Sequence, residues 1–175
     1  MHSSPFSDRP DIALYGRSGA GKSEIAQILV ADFGYTHYKT GDACREIARR
    51  LFGSEDKTLL NRITDALRAI DNDVWLRAAL PPPEITDPIV FDSLRFPTDY
   101  EFLQAKGFAL WRVEAPPALR VERLAARGQQ FDPQHDESHP AEVSLAEHMF
   151  DVTIENDFSS LADLRAVVKA QLPDG

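Results

Sequence analysis

Residues 16–23 read Gly16-Arg17-Ser18-Gly19-Ala20-Gly21-Lys22-Ser23 and satisfy G-x-x-x-x-G-K-[ST] at every fixed position. The apolar stretch 11–15 precedes this segment. A run over 22–33 follows it, with Ile25, Ile28, Leu29 and Phe33 on one helical face. Strand, glycine-rich loop and helix in that order form a phosphate cradle. The glycines let the backbone wrap closely, so successive N–H groups converge on phosphate oxygens at a helix N-terminus. All eight residues are expected to touch a nucleoside triphosphate. Lys22 would bridge its β- and γ-phosphates, and the Ser23 hydroxyl would ligate Mg²⁺. A chance match somewhere in a chain of 175 residues has a probability of roughly 0.6%.

The remaining pattern predicts an α/β fold, a parallel sheet covered by helices, because short β-branched runs alternate with longer helical ones. Strands are expected at 11–15, 36–39, 89–92, 109–114 and 151–154. Helices are expected at 22–33, 42–52 and 59–80, the last broken near Asp71-Asn72-Asp73. Thr98-Asp99-Tyr100-Glu101 has the form of a capping box. Pro116-Pro117 opens a further helix, where a missing N–H is harmless, and 159–172 closes the chain. The polar opening, residues 1–10, is expected to be frayed, leaving 11–175 as a single domain. Residues 128–140 hold Gln129, Gln130, Asp132, His135, Asp136 and His139 and lack apolar periodicity, as a surface loop or an active-site lid would.

A net charge of −9 argues against partners that are long nucleic acids, which need a basic surface. No apolar run is long enough to span a bilayer. The single cysteine, Cys44, rules out an internal disulfide framework and fits a reducing cytoplasm. The basic residues comprise 14 Arg and 5 Lys, 19 in all. This bias suits bidentate phosphate binding and equally suits a GC-rich genome. His2, His37, His135, His139 and His148 show no metal-ligand spacing with one another or with Cys44. Trp75 and Trp111 read as core, with a place near an acceptor pocket also open to Trp75.

Further segments bear on what happens to the triphosphate. Thr40-Gly41-Asp42-x-x-Arg45 follows the second strand, where Asp42 reads as a helix cap. Asp92, at the end of the third strand, reads as a Mg²⁺ holder or as an Asx turn. Arg120, Arg123 and Arg127 share a helical face, where they repel one another unless they meet anions. Together with the cradle, these segments resemble adenylate kinases and related nucleoside and deoxynucleoside monophosphate kinases. They match T-G-D-x-x-R, a strand-end aspartate followed by an arginine, R-x-x-R-L-x-x-R, H-P-x-E at 139–142, and Ile154-x-Asn156. The resemblance covers residues 11–172. Two departures stand out: the Asp92–Arg95 spacing is one residue short of D-G-x-P-R, and Gln129-Gln130-Phe131-Asp132 replaces an arginine-rich lid.

The resemblance implies a three-layer P-loop fold, with an acceptor-binding helical part at about 40–80 and a short lid at about 128–140. ATP and Mg²⁺ would be its cofactors. Thr40, Asp42, Arg45 and Arg95 would bind the acceptor. Arg123 and Arg127 would stabilise transition-state charge with Lys22 and Arg95, Asp92 would serve the metal with Ser23, Arg123 would also bind ATP, and Asn156 would lie beside the ATP base. Asn156 as a plain loop cap stays open. A monophosphate acceptor needs no general base, whereas a hydroxyl acceptor would need a carboxylate such as Asp42 or Asp92. Arg45 and Arg95 favour the phosphorylated acceptor, a small nucleotide. A nucleotide-gated switch with slow hydrolysis is the rival from another class. Neither monomer nor homodimer is favoured.

Overall fold

The computed structural model describes residues 9–82, 87–128, 138, 140–158 and 160–173. The chain divides into two compact units, one of residues 1–37 and 87–175, the other of 38–86.

The first unit is built on β1 (Ile12–Tyr15), β3 (Ile89–Phe91), β4 (Ala109–Glu114) and β5 (Val152–Glu155). With β2 (Thr36–Tyr38) they form one parallel sheet in the order β2-β3-β1-β4-β5. β1 is central, pairing Ile12 with Val90 on one side and with Ala109 on the other. Every residue of β1 and β3 is buried, which is why both read as unbroken apolar runs without alternation. The central position of β1 carries the loop that follows it to the middle of the sheet's C-terminal edge, where open α/β sheets bind ligands.

α1 (Lys22–Phe33) buries Ile25, Ala26, Ile28 and Leu29 against this sheet. α5 (Pro97–Ala105), α6 (Pro117–Ala126), the short α7 (Pro140–Val143) and α8 (Leu161–Ala170) complete the unit. Trp111, Val113, Ile154, Leu164 and Val168 fill its core together with β1 and α1.

The second unit holds α2 (Thr40–Phe52), α3 (Lys57–Ile70) and α4 (Val74–Ala79). Cys44, Ala48, Ile63 and Trp75 form its core, and the Trp75 indole N–H donates to the Thr64 carbonyl at 3.2 Å. Trp75 and Trp111 are thus both packing residues. The expected break after α3 is present: Asp71 Oδ1 accepts the Asp73 N–H at 2.9 Å, and the chain restarts at Val74.

The structure corrects several local expectations. α2 begins at Thr40 with Lys39 as its cap, so Asp42 lies inside the first turn instead of capping the helix. α3 begins earlier than expected because Asp56 caps it, accepting the N–H groups of Thr58 (3.0 Å) and Leu59 (3.2 Å). α5 opens at Pro97, not at a Thr98 cap. Asp99 there reaches back to accept the N–H groups of Arg95 (3.2 Å) and Phe96 (3.0 Å). Residues 1–8 of the expected frayed opening lie outside the described residues, but Arg9 and Pro10 are anchored. Arg9 donates to the Phe33 carbonyl at 2.7 Å and the Pro10 carbonyl accepts from the Tyr35 hydroxyl at 3.0 Å. Within 128–140, only Gly128, Ser138 and Pro140 are described, so the lid expectation falls almost wholly outside.

Candidate active site

The loop between β1 and α1 closes on itself through the Ala20 N–H, which donates to Arg17 C=O at 3.0 Å. Its glycines are required by what surrounds them. A Cβ on Gly16 would stand 2.4 Å from the Val113 carbonyl oxygen. Gly21 has φ +104°, and its Cβ would meet Asn156 Nδ2 at 2.0 Å. Lys22 starts α1, and its ammonium donates to the carbonyls of Gly16 and of Arg17, the latter at 3.4 Å. Burial, and then the positive charge of Arg95, push the Lys22 pKa down to about 8; the anions Glu142 and Asp92 act in the opposite direction. The Ser23 side chain is exposed at the helix start.

Asn156 follows β5 and clips this loop to the far side of the sheet. Its Nδ2 donates to Ala20 C=O at 2.8 Å, and its own N–H donates to Glu114 C=O at 2.6 Å. Arg123 reinforces the clip from α6, donating to the Gly19 and Ala20 carbonyls (3.4 Å each) and to Asn156 C=O (3.2 Å). Arg127, one turn on, pairs with Glu24. Arg120 and Arg123 of α6 and Arg127 at its C-terminal cap therefore do not face one another's charge unrelieved. Arg120 is buried, with a donor 3.4 Å from Ser18 C=O. The counter-charge for Arg127 comes from α1, where spacing along α6 alone offered only Glu122. A cavity of about 310 Å³ is lined by Glu24, Arg123, Arg127, Asn156, Phe158 and Leu164. A second, of about 230 Å³, opens beside Tyr15, Gly16, Arg17, Arg112 and Arg120.

Asp92 leaves β3 part-buried, with His37 Nε2 at 3.0 Å from its Oδ2 and the Ser93 hydroxyl donating to Oδ1 at 3.3 Å. Its charge reaches Lys22. Arg95 follows, its backbone fixed by Asp99. In the second unit, Thr40 opens α2, and Arg45 pairs with Asp42, as does Lys39 at 3.8 Å.

A glycine cradle that tolerates no Cβ, with a lysine at its end and hard oxygen donors on Ser23 and Asp92, fits a triphosphate with Mg²⁺. Among the described residues no three His, Cys, Asp or Glu side chains gather around one point. A Mg²⁺ carried in by phosphates needs no such cluster.

Sequence reasoning weighed His37 only as a metal ligand, and it noted Glu142 only as part of H-P-x-E. Glu142 is a buried carboxylate that accepts the Ser18 backbone N–H (2.6 Å) and hydroxyl (2.9 Å). It lies 124 positions from Ser18 in the chain, a pairing that no local signal announces.

Sheet order, loop and helix together define a P-loop kinase fold that works with ATP and Mg²⁺. A family model described as an AAA domain matches residues 15–139, and the chain belongs to that family. Among curated relatives, a cytidylate kinase of Natronomonas pharaonis is 28% identical over 172 residues, covering 94% of this chain and 83% of that protein. An adenylate kinase of Zymomonas mobilis is 32% identical over 86 residues, 47% of this chain and 38% of that one. Among solved structures, a shikimate kinase from Acinetobacter baumannii in complex with shikimate aligns with a TM-score of 0.57 and 16% identity. The alignment covers 94% of this chain and 93% of that one. At that identity the likeness is one of fold. No helix among the described residues is long and apolar enough to cross a membrane.

Proposed function

We propose that the protein transfers the γ-phosphoryl group of ATP to a nucleoside or deoxynucleoside monophosphate, giving the diphosphate. One observation carries this reading: Arg95 stands just past the Asp92 end of β3, its backbone fixed by Asp99, and its positive charge bears on the buried Lys22 of the phosphate loop. An acceptor that brings its own phosphate supplies a further anion for these two cations. The relatives named cytidylate and adenylate kinase support the same class.

In this reading Gly16, Arg17, Ser18, Gly19, Ala20, Gly21, Lys22 and Ser23 hold the ATP phosphates. Asn156 and Arg123 border the base in the larger cavity. Arg95 is the first unit's candidate for the acceptor phosphate, and Thr40, Asp42 and Arg45 are the second unit's candidates for binding the acceptor. Mg²⁺, when bound through Ser23 and Asp92, supplies charge neutralisation on the phosphates. Lys22, Arg95, Arg123 and Arg127 position two anions and cancel their repulsion, and no base is needed. The unit 38–86 serves as the acceptor-binding part and 128–140 as the lid. The enzyme acts on small nucleotides in the cytoplasm, as a monomer or homodimer.

A hydroxyl acceptor is the second reading, in which Asp92, with His37 Nε2 3.0 Å from its Oδ2, would serve as the base. The discriminating experiment measures ADP release from ATP–Mg²⁺ with ribo- and deoxyribonucleoside monophosphates, free nucleosides and shikimate, with Lys22→Ala as control. Turnover confined to monophosphates and lost in the variant supports the proposal. Turnover with a hydroxyl acceptor moves the chemistry to Asp92, and slow hydrolysis indifferent to every acceptor overturns the kinase assignment.

A further inference from the structure

The P-loop already carries an anion of the protein's own. The Glu142 carboxylate, on α7, takes both the backbone N–H and the hydroxyl of Ser18, at 2.6 and 2.9 Å. The helix that bears it is tied down separately, because the Tyr15 hydroxyl donates to Glu142 C=O at 2.9 Å. Glu142 is also the strongest anionic influence on Lys22, whose ammonium rests on the carbonyls of Gly16 and Arg17, the two residues before Ser18.

This places the carboxylate at one particular end of the loop. The N-terminus of α1 faces the inner phosphates, and the lysine reaches across to the terminal ones. Ser18 directly follows Gly16 and Arg17, the two residues on whose carbonyls that lysine rests. Its two donors are thus the loop groups next in the chain to the resting place of the lysine that serves the terminal phosphate. A carboxylate and a phosphoryl oxygen make the same charge-assisted hydrogen bonds, so they compete for these donors.

We propose that Glu142 is a built-in occupant of the γ-phosphate end of the loop, one that sets the protein's discrimination between ATP and ADP. Its carboxylate satisfies Ser18 and balances Lys22 while the terminal position is empty. It must leave when a triphosphate enters, and it can stay when a diphosphate does.

The test is nucleotide affinity by calorimetry, with ATP and ADP measured separately and no acceptor present, so the acceptor assignment does not enter. Glu142→Gln keeps the shape and an acceptor atom for Ser18 but removes the competing charge. ATP affinity is expected to rise about tenfold, the difference between a charge-assisted and a neutral contact, while ADP affinity changes less than about twofold. Tyr15→Phe frees α7 without altering any charge and keeps the ring; it is expected to tighten ATP about two- to threefold, again sparing ADP. Unchanged or weaker ATP binding in both variants overturns the proposal and makes Glu142 a brace of the empty loop. Equal tightening of ATP and ADP also overturns it, because the carboxylate would then not lie at the terminal position. If Glu142→Gln does not fold, Tyr15→Phe alone decides between these outcomes.

Discussion

Gly21→Ala is expected to damage the loop by two mechanisms that a control can separate. Gly21 has φ +104°, where a Cβ costs about 1–2 kcal/mol in backbone strain. The added Cβ would also stand 2.0 Å from Asn156 Nδ2, far inside contact distance, so the amide must move and give up its 2.8 Å bond to Ala20 C=O. Leaving that buried pair unmade costs about 1–3 kcal/mol more. The total, about 3 kcal/mol as a central value, corresponds to a fall in melting temperature of about 6–12 °C for a chain of this size. Gly107→Ala is the control. It lies in the same unit with φ +84°, but nothing stands within 4 Å of its Cβ, so only the strain of about 1–2 kcal/mol applies. Thermal and urea unfolding without nucleotide keep binding out of the comparison. Asn156→Ala in the Gly21→Ala background removes the obstacle, so the double variant is expected to lose at least about 1 kcal/mol less than the sum of the singles. If Gly21→Ala loses no more than Gly107→Ala, or if the two loop substitutions add, the clash with Asn156 does not govern the loop.

Activity is expected to fall as pH rises through about 8, because the lowered Lys22 pKa puts its deprotonation there in the free enzyme. The kcat/KM profile against ATP checks this, and Lys22→Arg, which stays charged, should lose the alkaline limb. Stability moves the other way. Between about 8 and the ordinary 10.5 the unfolded chain holds the proton that the folded one has shed, so raising pH across this window favours the folded state. Asp99→Ala should cost about 1–3 kcal/mol, since a buried carboxylate that accepts from Arg95 and Phe96 is lost. Asp99→Asn keeps an acceptor and should recover most of this in the same unfolding assay.

What was legible in the sequence was local. The cradle declared itself because glycine, lysine and serine must stand at fixed spacings along one turn of backbone. The sheet declared itself because β1 and β3 are buried on both faces and so carry no polar residue to break the run. The break at Asp71 was visible because an Asx turn is made by neighbours. The start of α5 was misplaced for a related reason. Thr98 has the right chemistry for a cap, but Pro97 at the first helical position moves the start forward, leaving the capping to a residue inside the helix. The partners of the loop were not legible. Ser18 meets Glu142, Ala20 meets Asn156, and Arg127 meets Glu24 across more than 100 residues each. Arg120, Arg123 and Arg127 were visible as a face, but only the fold assigns each a separate acceptor.

These long-range contacts share a physical logic. Burial first, and then the positive charges of Arg95 and Arg120, lower the Lys22 pKa, while Glu142 and Asp92 act against them. The fold thus holds a desolvated ammonium at the end of β1, in a protein whose net charge is −9. An ammonium of this kind is less favourable with the loop empty than filled, since an entering phosphate supplies the counter-charge that burial took from water. Glu142 fits that logic: it is held by Ser18, whose donors a phosphate can also engage, so binding would exchange one partner for another instead of exposing a bare charge. Affinity then depends on the difference between two similar contacts, which makes single-charge substitutions at Glu142 sensitive probes of what the site is built to hold.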